Sequence, residues 1–251
     1  MTAATAAGPA AGETLAATVR RLAGAQKGAQ GAPAYSRFVN RPLGRLLAAL
    51  AFHAGLTPNA VTAVSALWTA AGIALVAVAP LGWGTGAAAT ACLVTGYALD
   101  SADGQLARLR GGGSPAGEWL DHVVDSAKNA SIHLAVLLGL SRVEGLDRGW
   151  LLVPLAFCVL AVVHFSATLL NEALRERHGV RTRAARTDAR PSVLRSLLVA
   201  PTDYGVLCLV FVLLGAPPVF LGAYGLLALG TAAYVVLALG RWYREMGALP
   251  R

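Results

Sequence analysis

Four aspartates lie at the ends of apolar segments near the middle of this 251-residue chain. They form two pairs, Asp100 with Asp103 and Asp121 with Asp125, so each pair can project from one face of a helix. A charged side chain at mid-membrane costs roughly 2.5–3.5 kcal/mol on insertion scales, and four like charges also repel one another. Divalent cations such as Mg²⁺ and Mn²⁺ prefer carboxylate oxygens as ligands. The aspartates therefore predict a site for Mg²⁺ or Mn²⁺, with up to two ions.

The residues between the two pairs indicate an anionic ligand. Gly104 leaves room for a ligand near the backbone, and Ala107 is small. Arg108 carries a guanidinium, which binds phosphate through two parallel hydrogen bonds. The Gly-Gly-Gly-Ser run at Gly111–Ser114 predicts a flexible turn and not a P-loop, because no Gly-Lys-Ser/Thr follows it. Acids, an arginine and small residues in one loop predict a diphosphate laid across metal ions.

The composition places this loop in a membrane protein. The chain is 56% hydrophobic and 14% charged, whereas a soluble domain is about a quarter charged. A helix needs about 20 apolar residues to cross a bilayer, so the uncharged stretches predict six membrane helices in an all-α integral membrane protein. The last stretch is too long for one crossing and is broken at Gly215–Pro218. The predicted spans are Ala60–Pro80, Leu81–Leu99, Trp119–Leu140, Gly149–Asn171 and the two halves of Tyr204–Gly240.

The segment before the first span divides into two parts. Residues 1–35 are rich in alanine and glycine and are predicted to be disordered, apart from a short helix around Leu15–Leu22. Residues 36–54 alternate basic and apolar side chains, which predicts a helix lying on the cytoplasmic surface of the membrane. Residues 36–251 would then form one membrane domain, with the six spans between 58 and 245.

Basic residues predict the orientation of the spans. With a cytoplasmic N-terminus, Arg142 and Arg148 are the basic residues that fall outside, and the others lie inside. The net charge of +8 is then a topology signal and an attraction to anionic lipids, which argues against nucleic acid as a partner. Both aspartate pairs would lie at the cytoplasmic ends of adjacent antiparallel helices. The site is therefore expected to open to the cytoplasm, in the inner or plasma membrane.

The motif resembles the signature of the CDP-alcohol phosphotransferases at every fixed position and spacing. It runs Asp100-x2-Asp103-Gly104-x2-Ala107-Arg108-x8-Gly117-x3-Asp121-x3-Asp125. The resemblance covers the chain from about Tyr35 onward and implies a homodimer. It also implies a reaction in which a CDP-linked donor transfers its phosphoryl-alcohol moiety to an acceptor hydroxyl, releasing CMP.

The resemblance implies roles for individual residues. The four aspartates would bind the metal ions, and Asp125 would accept the proton of the attacking hydroxyl. Asp125 needs a metal or a good leaving group to do so, because a carboxylate is a weak base for an alcohol. The residues implied to contact the CDP moiety are Asn59, Ala60, Val61, Thr62, Gly104, Ala107, Arg108, Ser114 and Gly117.

The expected donor is CDP-diacylglycerol, and the expected acceptor is a small polar alcohol or its phosphate. Leu174 stands where other bacterial branches of the family carry an arginine for an acceptor phosphate, which disfavours a phosphorylated acceptor. Glu118 and His122 either orient the metal ligands or are solvated at headgroup level. Three alternatives remain: a soluble donor such as CDP-inositol or CDP-choline, a cation transporter that uses the acidic cluster, and a catalytically silent lipid-binding scaffold.

Overall fold

The structure is a computed structural model that describes residues 8–10, 12–24, 32–180 and 193–250. These residues form helices and connecting turns, without strands. The α-helices are α1 (Leu15–Gly24), α2 (Arg41–His53), α3 (Pro58–Val78), α4 (Trp83–Leu109), α5 (Pro115–Ser141), α6 (Leu152–Arg177), α7 (Val193–Leu198), α8 (Tyr204–Val210) and α9 (Pro217–Gly247). A π-helical turn at Ser36–Asn40 leads into α2, and 3₁₀ turns precede α6 and flank α8.

Within the described residues, four helical segments are long and apolar enough to cross a membrane. They are Pro58–Val78, Pro115–Ser141, Arg148–Arg177 and Pro217–Gly247. The predicted fifth span is the apolar segment Tyr204–Gly215, which is roughly 20 Å long at helical rise, against about 30 Å of hydrocarbon. The all-α membrane class predicted from the sequence is therefore confirmed, while six complete crossings are not.

Helix α4 continues well beyond its predicted end at Asp100. Its last turns carry Ala102 and Leu106, which are fully buried in a cluster with Ala48 and Phe52 of α2. This apolar contact at helical spacing keeps the chain helical as far as Leu109, so Gly104, Ala107 and Arg108 lie on α4 and not in the predicted loop.

A glycine turn then leads into α5. Gly111 and Gly112 have φ angles of 93° and 134°, which residues with a side chain rarely adopt. The Gly112 amide donates to the Ala107 carbonyl at 3.0 Å and closes the turn. The flexible connection predicted here is thus a compact reversal of the chain.

Small residues allow α3 and α4 to pack closely. A Cβ atom at Gly72 of α3 would lie 2.7 Å from Leu93 of α4. The Ser65 hydroxyl donates to the Gly96 carbonyl at 2.8 Å across the same contact. Close backbone approach through small residues is typical of membrane helix pairs.

Helix α5 also packs on α3. In the described residues α4 and α5 have no extensive contact with each other, although the sequence predicted adjacent antiparallel helices. The physical reason is that α3 packs against both α4 and α5, and its small residues let α4 approach it closely.

The segment predicted as a surface helix is helical, as the π-helical turn and α2, while its position on the membrane surface stays a prediction. Its buried side consists of small residues such as Gly44 and Ala48, while Leu43, Leu46 and Leu50 are exposed and can face lipid. Helix α1, near the predicted Leu15–Leu22, packs on α2. The other part of the predicted disorder, at residues 1–7, 11 and 25–31, lies outside the described residues.

Candidate active site

A lysine side chain joins α4 and α5. The Lys128 ammonium lies 2.7 Å from Asp100 Oδ1 of α4 and 2.5 Å from Asp125 Oδ1 of α5. Lys128 is 8% exposed, so this ion pair is well shielded from solvent. The predicted convergence of the two motif halves is therefore present for Asp100 and Asp125. The sequence indicated only the Asp125 contact, because Asp100 is distant along the chain.

Asp103 is held by donors from two helices. Its Oδ2 accepts a hydrogen bond from the Thr62 hydroxyl of α3 at 2.6 Å, and its Oδ1 accepts the Gly104 amide at 2.5 Å. Both Asp103 and Thr62 are about 95% buried. Thr62 was expected to contact the nucleotide, whereas in the structure its side chain orients a predicted metal ligand.

A group of potential ligands lies on the first turns of α5. One ligand atom each of Asp121, His122 and Asp125 lies within 4.8 Å of the others. The Nδ1 atom of His122 is buried and has no hydrogen-bond partner within the described parts of the chain. The other ring nitrogen is 3.9 Å from Glu118 Oε1. Two carboxylates and an unpaired ring nitrogen fit a divalent cation, since carboxylates suit Mg²⁺ and Mn²⁺.

The two aspartates of α4 lie outside this group of potential ligands. Within the described ranges, Asp100 and Asp103 do not share the 4.8 Å group of α5. They nevertheless interact with the α5 carboxylates, since Asp100 lies within electrostatic range of Asp125, and Asp121 within range of Asp103. The four aspartates thus form one acidic region whose α5 half alone is compact enough to surround a single ion.

A basic group borders the acidic region. Arg108 lies within electrostatic range of Asp103 and also of Arg41 on α2. The Nε–H group of Arg108 is buried and donates to no partner among the residues that the structure describes. A Cβ atom at Gly104 would come no closer than 3.6 Å to another group, namely Arg108 Nη1. An anion can therefore approach the backbone at Gly104 and meet a guanidinium.

The starts of α3 and α5 are packed together at Gly117. A Cβ atom at this position would lie 2.9 Å from Asn59 Oδ1 and 3.3 Å from Ser114 Oγ, so only glycine fits without displacement. Ser114 caps α5 by accepting the Gly117 amide at 3.1 Å. Ser114 and Gly117, which were expected to contact the CDP moiety, thus have structural roles here that place Asn59 beside the entrance to α5.

The other implied CDP contacts differ in exposure. Val61 is 2% exposed and packs in the apolar cluster with Phe52, so its side chain faces the protein interior. The Ala60 amide donates to Thr57 Oγ1 at the helix cap, at 3.2 Å. Ala107 is half-buried on α4. Ala60, Val61 and Ala107 can therefore contact a ligand only through their backbone or a methyl group.

The arginines near the end of α6 were expected to contact headgroups or an anionic acceptor. Arg175 is 6% exposed and its Nη2 lies 2.7 Å from Glu245 Oε2 of α9. It therefore joins α6 to α9 instead of facing solvent. Positions 181–190, which contain Arg181, Arg183, Arg186 and Arg190, lie outside the described residues.

Comparison with known proteins agrees with the motif. The family model described as CDP-alcohol phosphatidyltransferase matches residues 55–241. No curated protein matches the sequence.

Three similar solved structures are of phosphatidylinositol phosphate synthase from Mycobacterium tuberculosis. The form with CDP-DAG bound is 24% identical, with a TM-score of 0.50, over 82% of this chain and 94% of that one. The complex with manganese and citrate is 24% identical, with a TM-score of 0.50, over 82% and 89%. The apo form is 26% identical, with a TM-score of 0.53, over 82% and 98%. This likeness indicates a shared fold.

Proposed function

The chain belongs to the CDP-alcohol phosphatidyltransferase family, and on that premise we propose that it transfers a phosphatidyl group from CDP-diacylglycerol to an alcohol in phospholipid synthesis. The observation that carries the proposal is the meeting of the two motif halves at Lys128, with Arg108 beside them. The similar synthase from Mycobacterium tuberculosis has been solved with CDP-DAG bound, which supports this donor.

The acidic region fits a divalent cation. Asp121 and Asp125, with His122, would hold one Mg²⁺ or Mn²⁺, and Asp100 with Asp103 would contribute to a second. Such cations neutralise the charge of a diphosphate during phosphoryl transfer. The manganese complex of the similar synthase supports a metal-dependent reaction.

The residues of the chain then have separate roles. Arg108 binds the diphosphate, and Gly104 lets it approach α4. Asp125 accepts the proton as the acceptor oxygen forms a bond to the phosphorus that carries the diacylglycerol. The bond from that phosphorus to the bridging oxygen breaks, and CMP leaves with its electron pair. Thr62 keeps Asp103 in place through its 2.6 Å hydrogen bond.

We further infer the arrangement in the membrane. Four crossings follow from length and composition. Helix α4 and the segment Tyr204–Gly215, which begins after the Asp203 cap, would complete six. The excess of basic residues beside the aspartates supports a cytoplasmic active site in the inner or plasma membrane. The family resemblance supports a membrane domain over 36–251 and a homodimer.

Release of CMP tests the proposed function. Purified protein in lipid nanodiscs is incubated with CDP-diacylglycerol, Mg²⁺ or Mn²⁺ and a panel of alcohols, and EDTA provides the metal-free control. We expect CMP release that depends on both the alcohol and the metal. If CMP is released only with CDP-inositol or CDP-choline, the donor is a soluble CDP-alcohol and not CDP-diacylglycerol. No CMP from any CDP donor would contradict the proposal, and cation flux in proteoliposomes would then favour the transporter.

A further inference from the structure

A pocket of about 240 Å³ lies between α5, α6, α9 and the start of α8. Asn129 and His133 line it and follow Asp125 at intervals of four residues, so all three share one face of α5. Tyr204 lines the pocket as well, and the centre of its ring lies 5.5 Å from the Lys128 ammonium. The pocket therefore begins one helical turn from the proposed base. Its volume is below the roughly 300–1,000 Å³ of pockets for drug-sized ligands, so it suits a small molecule.

Three threonine hydroxyls in the pocket each donate their hydrogen bond to a backbone carbonyl. Thr168 donates to the His164 carbonyl, Thr202 to Val199 and Thr231 to Pro201, each at 2.8 Å. A hydroxyl has one proton to donate and two lone pairs that accept. Toward a ligand these side chains therefore present lone pairs, which pair with hydroxyl donors and not with phosphate oxygens.

The charges around the pocket also disfavour a phosphate. The described lining contains the carboxylate of Asp203 and no lysine or arginine. Asp203 is fixed in place by the amides of Ser36 and Gly205, each at 3.1 Å. Lys128, the cation 5.5 Å from the Tyr204 ring, is paired with Asp100 and Asp125.

The lining also has polar side chains besides the threonines and Asp203, and Tyr204 is one of them. The Tyr204 hydroxyl is buried and has no hydrogen-bond partner across the described ranges. A buried polar group without a partner costs free energy, so a ligand that supplies the partner gains affinity. A hydroxyl of a small polyol can both donate to and accept from Tyr204.

We propose that this pocket binds the acceptor as an uncharged polyhydroxy alcohol and discriminates against its phosphate ester. This inference rests on the proposed function, since it names the substrate class of the same site. A polyol brings proton donors to the three threonine oxygens, and one of its hydroxyls can reach toward Asp125. A phosphate group would bring only acceptors and negative charge against those oxygens and Asp203.

Matched acceptor pairs test the inference. CMP release from CDP-diacylglycerol is measured with glycerol against glycerol 3-phosphate, and with myo-inositol against its monophosphate. We expect kcat/KM to be at least tenfold higher for an unphosphorylated member. Equal or higher kcat/KM for the phosphates would overturn the inference and leave the proposed function standing. No CMP with any member of the panel would overturn both.

Two pocket variants test the location. Thr168→Val removes a hydroxyl that bonds only within its own helix, and Tyr204→Phe removes a hydroxyl without a described partner, so the melting temperature should not fall. Each should raise the acceptor KM about three- to tenfold, with the KM for CDP-diacylglycerol unchanged. The control is Thr85→Val, which removes a similar hydroxyl bond, to Pro80 at 2.7 Å, at the start of α4. An unchanged acceptor KM in both pocket variants would contradict the inference.

Discussion

The aspartate pair of α4 and the aspartate pair of α5 have the same chemistry but different surroundings. Asp103 is deeply buried and accepts hydrogen bonds from Thr62 and Gly104. Asp121 and Asp125 are half-buried, and with His122 they bring three ligand atoms within 4.8 Å. Protein donors thus fix Asp103 in advance, while the α5 pair with His122 has the geometry to enclose an ion.

Lys128 connects these two regions. Its ammonium contacts Asp100 of one pair and Asp125 of the other, and so offsets the repulsion between them. The comparison indicates that position in the bundle, and not residue type, separates the roles of the four carboxylates. Three substitutions can break or sharpen this distinction.

The largest effect is expected for Asp125→Asn. Loss of the proposed base should lower kcat for CMP release about 10²- to 10⁴-fold, because general base catalysis contributes that much. Binding of CDP should persist, since Arg108 and the remaining aspartates are intact. Stopped-assay kinetics and nucleotide binding measure the two effects. The control is Asp147→Asn, a matched change in a cap that accepts the Gly149 amide at 2.7 Å; full activity of Asp125→Asn would exclude it as the base.

The next effect is expected for Lys128→Met. Removal of one partner of a buried ion pair costs about 3 kcal/mol, and here it leaves Asp100 and Asp125 facing each other without compensation. The metal-free protein should therefore melt at a lower temperature, and Mn²⁺ should restore more stability than in the parent protein.

A matched variant separates this effect from a general loss of stability. Arg142→Met removes a guanidinium that donates to the Ala77 and Ala79 carbonyls near the end of α3 opposite Thr62. It should also lower the melting temperature, but without enhanced recovery by Mn²⁺. Equal recovery in both variants would show that Lys128 does not hold the two carboxylates together.

The smallest effect is expected for Thr62→Val. The change removes the hydroxyl that orients Asp103, and loss of such a supporting bond lowers metal affinity about 10- to 100-fold. We expect the lower part of this range, because the Gly104 amide still holds the other carboxylate oxygen. Titration with Mn²⁺, followed by electron paramagnetic resonance, measures the affinity.

Ser65→Ala is the control for Thr62→Val. Ser65 lies on the same helix and donates its hydroxyl to the Gly96 carbonyl of α4, so the variant loses a similar contact between α3 and α4. Its stability should fall while its metal affinity stays unchanged. A Thr62→Val protein that binds Mn²⁺ as tightly as the parent would contradict the orienting role.

The local features of the chain were predictable from the sequence because they depend on neighbouring residues. The spacing of the aspartates and the apolar stretches need only a few consecutive positions. The end of α4 was predicted wrongly because Asp100 and Asp103 mark the end of the apolar segment in the sequence. The helix continues because Ala102 and Leu106 pack against α2, and this contact cannot be read from the neighbouring residues.

By itself, then, the sequence determined the family, the helical membrane class and the four carboxylates, because a fixed motif and long apolar segments are encoded locally. The tertiary structure alone decided what holds each carboxylate, because those partners are distant along the chain. Thr62 and Asp103 are 41 residues apart, and Lys128 and Asp100 are 28 apart. The direction of the Thr231 proton in the pocket likewise depends on the Pro201 carbonyl, which is 30 residues away along the chain and which the folded bundle places beside it.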